Sequence, residues 1–243
     1  MIPDSEQIVA LHGFTQTGAS WRVIEATLGR PLLAPDLPGH GSASHERPTD
    51  LHEAAALVAA RVVPGLHNRR AWWIGYSLGG RVLLHLALDR PDLIAGLILV
   101  STTAGLESMR ERDQRIAADA ALADELERDG LGPFLDRWVA QPLFASLTLS
   151  EEERQDRRRN TPAGLSTSLR SCGTGTQAPL WNLLNQLTVP TVVVTGRRDL
   201  KFSELGTRLA ATIPQAVHRQ IDNAGHACHL EHPQQFVEAI QRD

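Results

Sequence analysis

A serine, an aspartate and a histidine occur in this sequence in an order that can support nucleophilic or base chemistry. Ser77 is the centre of the sequence GYSLG, Asp199 ends the sequence GRRD, and His226 ends the sequence NAGH. A serine hydroxyl is unreactive at neutral pH unless a base accepts its proton and a third group orients that base. We therefore predict that Ser77, His226 and Asp199 act together as reactive hydroxyl, proton acceptor and orienting acid.

The segment around Ser77 predicts a strand, a tight turn and a helix. Residues 71–74 are apolar and indicate a buried strand, and residues 82–88 continue as a helix. Gly75 and Gly79 flank the serine, where a Cβ would collide with the closely packed strand and helix. The helix start also brings backbone N–H groups and partial positive charge to the space beside the hydroxyl. This context is typical of a strained, accessible nucleophilic serine.

Asp199 and His226 each follow a predicted strand, so we expect both on the edge of the sheet that carries Ser77. Asp222 is a competing acid, but it lies close to His226 in sequence and inside or just after a strand. Other histidines are assigned to turns beside the site, to the helix after Ser77 or to packing: His12, His40, His85 and His229.

Strands alternate with helices along most of the chain, which predicts an α/β fold with a mainly parallel sheet covered on both faces. Apolar runs predict strands at 8–11, 32–35, 71–74, 94–100, 191–195 and 217–221. Helical patterns are predicted at 20–28, 50–63, 82–88, 107–128, 131–138, 151–159, 203–211 and from 234 onward.

About ninety residues separate the strand at 94–100 from the strand at 191–195, far more than a crossover connection requires. We call residues 103–187 the insert and predict a helical cap over the carboxyl ends of the strands. Residues 1–102 and 188–243 are then expected to form the core of the fold.

Composition restricts the class of protein. The 243 residues are 42% hydrophobic and carry a net charge of −4, so neither nucleic acid nor an anionic membrane surface is an expected partner. No apolar run is long enough to span a membrane, and residues 1–7 lack the pattern of a signal peptide. Cys172 and Cys228 have neither metal-ligand spacing nor a disulfide framework. We therefore expect a cytoplasmic protein without a bound metal. The sequence does not specify the oligomeric state, and a monomer is favoured.

Several motifs resemble those of the α/β-hydrolase-fold superfamily. They are HGF at 12–14, DLPGHG at 36–41, GYSLGG at 75–80, GRRD at 196–199 and GH at 225–226. Within that superfamily, the chain resembles the 2-succinyl-6-hydroxy-2,4-cyclohexadiene-1-carboxylate synthases of menaquinone biosynthesis. The narrower resemblance rests on GYSLGGR at 75–81, the arginine-rich start of the insert, Trp138 with QPLFASL at 141–147, and DLKF at 199–202. Many relatives of this fold begin with a β-hairpin, which this chain is expected to lack because only seven residues precede its first strand.

The resemblance implies elimination of pyruvate from 2-succinyl-5-enolpyruvyl-6-hydroxy-3-cyclohexene-1-carboxylate. His226, oriented by Asp199, takes the proton of Ser77, and the activated serine acts as a base on a substrate carbon. The backbone N–H groups of Phe14 and Leu78 are the implied oxyanion hole. No metal or organic cofactor is implied.

A small-molecule substrate with several carboxylates requires cations, and the implied substrate-binding residues supply them. Arg81 lies four residues after Ser77, on the same helix face, and Arg115 lies in the insert. The complete set of implied substrate-binding residues is Tyr76, Arg81, Arg115, Trp138, Phe144 and Lys201.

Five of these six binding residues have a structural alternative. Arg81 could pair with a core carboxylate, Trp138 and Phe144 could be cap core, and Lys201 could face solvent. Arg115, like Arg110 and Arg112, lies among acidic residues and could belong to a solvated charged face. Glu153 and Arg157 have the spacing of a surface ion pair and are assigned no chemistry.

Two other functions remain open at this point. One is a hydrolase that cleaves an ester or carbon–carbon bond of an acidic substrate through a covalent acyl-enzyme. The other is a non-catalytic binding protein with the same fold, which a complete set of three catalytic residues disfavours.

Overall fold

The computed structural model describes residues 2–3, 5–67 and 69–242. Within them, five strands form one parallel sheet in the order β1-β2-β3-β4-β5. The strands are β1 (Ile8–Leu11), β2 (Ala71–Tyr76), β3 (Ile94–Val100), β4 (Thr191–Gly196) and β5 (Ala216–Ile221). No strand precedes β1 in the described residues. The predicted parallel α/β architecture is confirmed.

Ten α-helices accompany the sheet in this part of the chain. They are α1 (Arg22–Leu28), α2 (Leu51–Val62), α3 (Leu78–Asp89), α4 (Met109–Asp129), α5 (Leu131–Val139), α6 (Glu151–Arg157), α7 (Pro162–Cys172), α8 (Leu200–Thr212), α9 (Cys228–Glu231) and α10 (Pro233–Gln241). Helices α4 to α7 lie within the insert. The sequence analysis missed α7, although Thr161 caps its N-terminus and Pro162 occupies its first turn.

Both faces of the sheet are covered, as predicted, because the strand side chains alternate between two cores. On β1, Val9 and Leu11 pack with residues of α2, α3 and α8, whereas Ile8 and Ala10 pack with residues of α1 and α10. Apolar side chains on both sides explain why these strands are continuous hydrophobic runs.

The strand predicted at 32–35 is wrong. Leu33 forms a single parallel bridge to Val9, through its N–H to the Ile8 carbonyl at 2.9 Å and its carbonyl to the Ala10 N–H at 3.0 Å. The next ladder bond would require an N–H from Pro35, which proline lacks, so the pairing stops after one residue.

This single bridge marks the side of the sheet to which the chain turns after β1. The chain leaves β1 toward Leu33 on the outer side, whereas from β2 it continues inward to β3. Connections that diverge from two neighbouring strands open a crevice at the carboxyl ends of those strands. Phe14 follows β1 and Ser77 follows β2, so both lie at this crevice.

Candidate active site

Ser77 occupies a strained turn between β2 and α3. Its backbone has φ 51° and ψ −108°, in a region that non-glycine residues rarely adopt. A Cβ at Gly75 would lie 2.6 Å from the Cα of Gly80, and one at Gly79 would lie 2.3 Å from the carbonyl oxygen of Leu11. The turn is held by the Ser77 N–H, which donates to the Val100 carbonyl at 2.9 Å. The crowding predicted for the two glycines is present.

The structure brings Ser77, His226 and Asp199 together. Asp199 ends the loop after β4, and its Oδ2 lies 2.7 Å from Nδ1 of His226. The other ring nitrogen of His226, Nε2, lies 3.2 Å from Oγ of Ser77. Because a carboxylate accepts only, Nδ1 carries the proton and Nε2 is left as an acceptor for the serine hydroxyl.

The loops that carry the acid and the base are fixed by hydrogen bonds of their own. Oδ1 of Asp199 accepts from the Phe202 N–H at 3.2 Å and caps α8. Glu231 accepts from the Gly225 N–H at 2.7 Å, next to His226. The competing acid Asp222 instead pairs with Arg197 at 2.6 Å on the exposed surface.

Phe14 and Leu78, the implied oxyanion-hole residues, line the same cavity as Ser77. Neither backbone N–H has a hydrogen-bond acceptor within the residues that the structure describes. Both can therefore donate to an oxygen that enters the cavity.

The orientation of the Phe14 N–H follows from its own peptide plane. The Gly13 carbonyl, which is trans to that N–H, accepts from Nδ1 of His12 at 2.8 Å and from the Gln16 N–H at 3.2 Å. Nε2 of His12 accepts from the Leu37 N–H at 2.9 Å, so the proton of this ring lies on Nδ1. These two donors fix the direction of the Gly13 carbonyl, and the Phe14 N–H therefore points in the opposite direction.

Three of the competing histidines, His12, His40 and His229, are buried and neutral. Burial lowers the pKa of His12 to about 4 and that of His40 to about 3. Burial also lowers the pKa of His229 to about 3, where its ring packs between Tyr76 and Trp21. These rings shape the loops and packing beside the site.

A cavity of about 1040 Å³ opens above Ser77 and is lined by both the core and the insert. Every residue implied as substrate-binding lies on its wall: Tyr76, Arg81, Arg115, Trp138, Phe144 and Lys201. Arg110 and Arg112 are not part of the wall.

Arg81 is buried and has no carboxylate partner within the described residues. Its Nη1 donates to the carbonyl of Cys172 at 2.8 Å, at the C-terminus of α7. That end of a helix carries partial negative charge, which offsets part of the cost of burying the cation. Burial lowers the pKa of Arg81 to about 10, so the guanidinium is still charged at neutral pH.

Arg115 reaches the cavity wall from α4. Its Nε lies 2.8 Å from Oδ1 of Asp119, one turn further along the helix. Its side chain is 41% exposed, whereas that of Asp119 is 3% exposed. Arg115 is thus anchored at one nitrogen, and its terminal nitrogens have no acceptor in the described part of the chain.

Arg157 was missed by the sequence analysis, and its assignment to a surface ion pair is wrong. The residue is 5% exposed and lines the cavity. It donates to the hydroxyl of Thr15, while Glu153 completes a capping box with Ser150 at the start of α6. Arg157 has no ion-pair partner among the described residues. Burial lowers its pKa, which marks an incompletely compensated cation.

Aromatic rings form the rest of the wall. Trp138 packs on Phe14 with centroids 4.9 Å apart, and Phe144 lies 6.0 Å from the ring of His226. Phe202, which the sequence analysis did not single out, lies 4.4 Å from the same ring. Lys201 is exposed at the rim, with Nζ 5.8 Å from the Phe202 ring. The rings of Phe144 and Phe202 therefore pack beside the imidazole of His226.

The described residues contain neither a metal-binding cluster nor a membrane-spanning helix. No group of three or more His, Cys, Asp or Glu side chains could hold a metal ion. No helix in the described part of the chain combines the length and the apolar character needed to cross a bilayer.

Comparison with known proteins identifies the family of this chain. The model of the alpha/beta hydrolase family matches residues 8–239. The chain belongs to the alpha/beta hydrolase family. It is an enzyme, and its curated relatives are named as synthases.

Three relatives extend over nearly the whole chain. A 2-succinyl-6-hydroxy-2,4-cyclohexadiene-1-carboxylate synthase of Serratia proteamaculans is 34% identical and covers 98% of this chain and 92% of its own length. The synthase of the same name from Salmonella heidelberg is 31% identical, with coverage of 98% and 93%. The solved structure of MenH from S. aureus has a TM-score of 0.90 and 29% identity, with coverage of 98% and 93%. The resemblance inferred from the motifs is confirmed.

Proposed function

We propose that this enzyme eliminates pyruvate from 2-succinyl-5-enolpyruvyl-6-hydroxy-3-cyclohexene-1-carboxylate and forms 2-succinyl-6-hydroxy-2,4-cyclohexadiene-1-carboxylate. The observation that carries the proposal is the convergence of Arg81, Arg115 and Arg157 on one cavity with Ser77 and His226. A cavity that binds neutral esters is typically lined by apolar side chains. Three arginines with unoccupied N–H donors would be costly in such a cavity, because no ligand charge would compensate them. The names of the curated relatives support the same reaction.

The names of substrate and product define which bonds change. The proton on ring carbon 2, next to the succinyl carbonyl, is removed, and a double bond forms between carbons 2 and 3. The double bond between carbons 3 and 4 moves to carbons 4 and 5. The bond from carbon 5 to the enolpyruvyl oxygen breaks with its electron pair, and protonation of the released enolate gives pyruvate. The reaction is an acid–base elimination and calls for no cofactor.

The three aligned residues have distinct roles in this reaction. Nε2 of His226, 3.2 Å from Oγ of Ser77, takes the hydroxyl proton as the serine oxygen removes the proton from carbon 2. Asp199 holds Nδ1 of His226 and stabilises the imidazolium that forms. The imidazolium is then the source of the proton that the departing enolate requires.

Negative charge develops on the succinyl carbonyl oxygen as carbon 2 loses its proton. The free N–H groups of Phe14 and Leu78 would donate hydrogen bonds to this oxygen, because neither N–H has an acceptor in the described structure. Fixed donors act at full strength here, since they need not reorient while the charge grows.

The substrate carries three carboxylates, on the ring, on the succinyl arm and on the enolpyruvyl group. We propose that Arg81, Arg115 and Arg157 bind them through charge-assisted hydrogen bonds. Lys201 would add charge at the rim, and Tyr76, Trp138 and Phe144 would pack on the ring. In this proposal, residues 103–187 serve as a cap that supplies two of the three arginines, and residues 1–102 and 188–243 serve as the catalytic core.

Release of pyruvate from the named substrate tests the function directly. Pyruvate is followed with coupled lactate dehydrogenase, and the conjugated diene of the product is followed by its ultraviolet absorbance. Wild type is expected to produce both in equal amounts, and Ser77→Ala is expected to produce neither above background. An acyl-serine trapped at Ser77 by acid quenching, with no pyruvate released, would instead establish a hydrolase with a covalent intermediate.

A further inference from the structure

A buried carboxylate lies in the wall of a cavity that we propose for a triply anionic substrate. Asp119 on α4 is 2% exposed and lines the cavity together with Arg81 and Arg115. A negative charge in this place opposes the binding of carboxylates unless it serves another purpose.

Asp119 engages Arg115 at one nitrogen only. Oδ1 accepts from Nε of Arg115 at 2.8 Å, and the two terminal nitrogens of that arginine have no acceptor within the described residues. A guanidinium held at Nε has its plane fixed, while its two terminal nitrogens still match the two oxygens of a carboxylate. Arg115 is 41% exposed at its side chain, so without this contact it could turn toward solvent.

The other side of Asp119 meets the C-terminus of α7. Oδ2 has no hydrogen-bond partner in the described chain, and a Cβ added at Gly173 would lie only 2.4 Å from it. The preceding residue, Cys172, provides the carbonyl that binds Arg81. Burial raises the pKa of Asp119, and Arg115 and Arg81 oppose that rise and favour the carboxylate. The carboxylate of Asp119 therefore binds Arg115 directly and also packs against the end of α7, where the carbonyl of Cys172 binds Arg81.

We infer that Asp119 is a positioning residue that orients Arg115 to bind a substrate carboxylate, an inference that rests on the proposed function. Simple Coulomb repulsion predicts that removal of this negative charge strengthens the binding of anions. If Asp119 positions Arg115, the same change weakens the binding of anions, because the guanidinium of Arg115 loses its fixed plane.

The test is a double-mutant cycle on Asp119 and Arg115. Asp119→Asn is expected to raise KM for the named substrate by about 10-fold, with a smaller change in kcat, and Arg115→Ala by at least as much. The double variant is expected to equal Arg115→Ala alone. The inference is overturned if Asp119→Asn lowers KM. It is also overturned if Asp119→Asn raises KM by the same factor in the Arg115→Ala background as in wild type.

A matched control comes from the same pair of helices. Asp124 also lies on α4 and pairs with Arg170 on α7, but it is exposed and lies outside the cavity wall. Asp124→Asn is expected to change KM by less than about twofold. An equal effect of the two Asp→Asn changes would mean that Asp119 acts only through the packing of α4 on α7.

Arg115→Lys tests the inference even if Asp119→Asn does not fold. A lysine has one nitrogen, which Asp119 would hold, so this variant is expected to lose nearly as much as Arg115→Ala. Wild-type KM in Arg115→Lys would contradict the inference.

If wild type releases no pyruvate, the proposed function fails, and titration calorimetry with citrate, a tricarboxylate, still tests Asp119. Weaker citrate binding in Asp119→Asn, but no further weakening in the Arg115→Ala background, would support the inference. Equal or tighter binding would overturn it.

Discussion

The strand-end loops below the cavity and the insert helices above it contain buried polar groups in opposite electrostatic states. In the loops, burial keeps His12 neutral, and both of its ring nitrogens are hydrogen-bonded. In the insert, Arg157 is buried as a cation, with the hydroxyl of Thr15 as its partner and no carboxylate within ion-pair distance in the described structure.

This difference separates two tasks. Reaction of a serine requires fixed atoms, and the two hydrogen bonds of the His12 ring hold the loop after β1. Binding of an anionic substrate requires cations with unoccupied donors, which cost stability until a ligand compensates them. In the proposed function, core residues perform the chemistry, and Arg81 of the core joins Arg115 and Arg157 of the insert in recognising the charge of the substrate.

The largest effect is expected from the aligned residues of the core. Ser77→Ala and His226→Ala should each lower kcat by about 10²–10⁴-fold, because each removes the proposed base while the loops stay in place. Stopped assays of pyruvate, with circular dichroism to confirm the fold, measure this. The double variant should lose little more than either single variant, because the residues act as a unit. Losses that multiply would indicate independent roles.

A smaller effect is expected from the cation that the sequence analysis missed. Arg157→Ala should reduce kcat/KM for the triply charged substrate by about 10- to 100-fold, the usual value of one charge-assisted contact. Arg158 is adjacent, exposed and outside the cavity wall, so Arg158→Ala is the matched control and should retain wild-type activity. Similar losses in both variants would place the effect in the stability of α6 rather than in binding.

The neutral histidines predict how stability depends on pH. The folded-state pKa values of His12, His40 and His229 lie at about 4, 3 and 3, below the value of about 6.5 expected after unfolding. The unfolded chain therefore binds more protons between these values, and the free energy of unfolding should fall as pH decreases from about 6.5 toward 4.

The variant His229→Phe measures how much of this pH dependence of stability comes from one histidine. Both ring nitrogens of His229 lack partners in the described structure, and aromatic rings surround it. The variant should remove about 1.4 kcal/mol per pH unit from the slope of unfolding free energy against pH between about 4 and 6. Urea titrations across this range provide the slope. An unchanged slope would mean that His229 is protonated in the folded protein.

The smallest effect is expected at the rim. Lys201→Ala should change kcat/KM by less than about fivefold, because an exposed cation is screened by water and salt. The loss should disappear near 0.5 M salt if Lys201 acts only by attraction at a distance. A large loss that persists in high salt would make Lys201 a direct ligand of the substrate.

The core of the site could be predicted from the sequence because its signals are local. A glycine-flanked serine between an apolar strand and a helix, and an acid and a histidine each directly after a strand, specify geometry within a few residues. The strand at 32–35 was wrong for an equally local reason that was overlooked, the missing N–H of Pro35.

The insert could be predicted only in part. Arg81 follows Ser77 by four residues, and Arg115 precedes Asp119 by four residues. This helical spacing is visible in the sequence. Arg157 lies on a seven-residue helix with charges on all sides, EEERQDR, so nothing local tells which charge faces inward. The contact of α6 with the loop after β1 decides that, and this contact joins residues about 140 positions apart.

The central claim is that the arginines recognise substrate charge and leave the chemistry to the core. The most direct measurement compares kcat/KM for the triply charged substrate and for a small neutral ester, such as p-nitrophenyl acetate, in wild type, Arg81→Ala and Arg115→Ala. A loss of about 10- to 100-fold on the charged substrate, with a change of less than about threefold on the ester, is the predicted result. Equal losses on both substrates would contradict the account, because the arginines would then maintain the structure rather than bind the ligand.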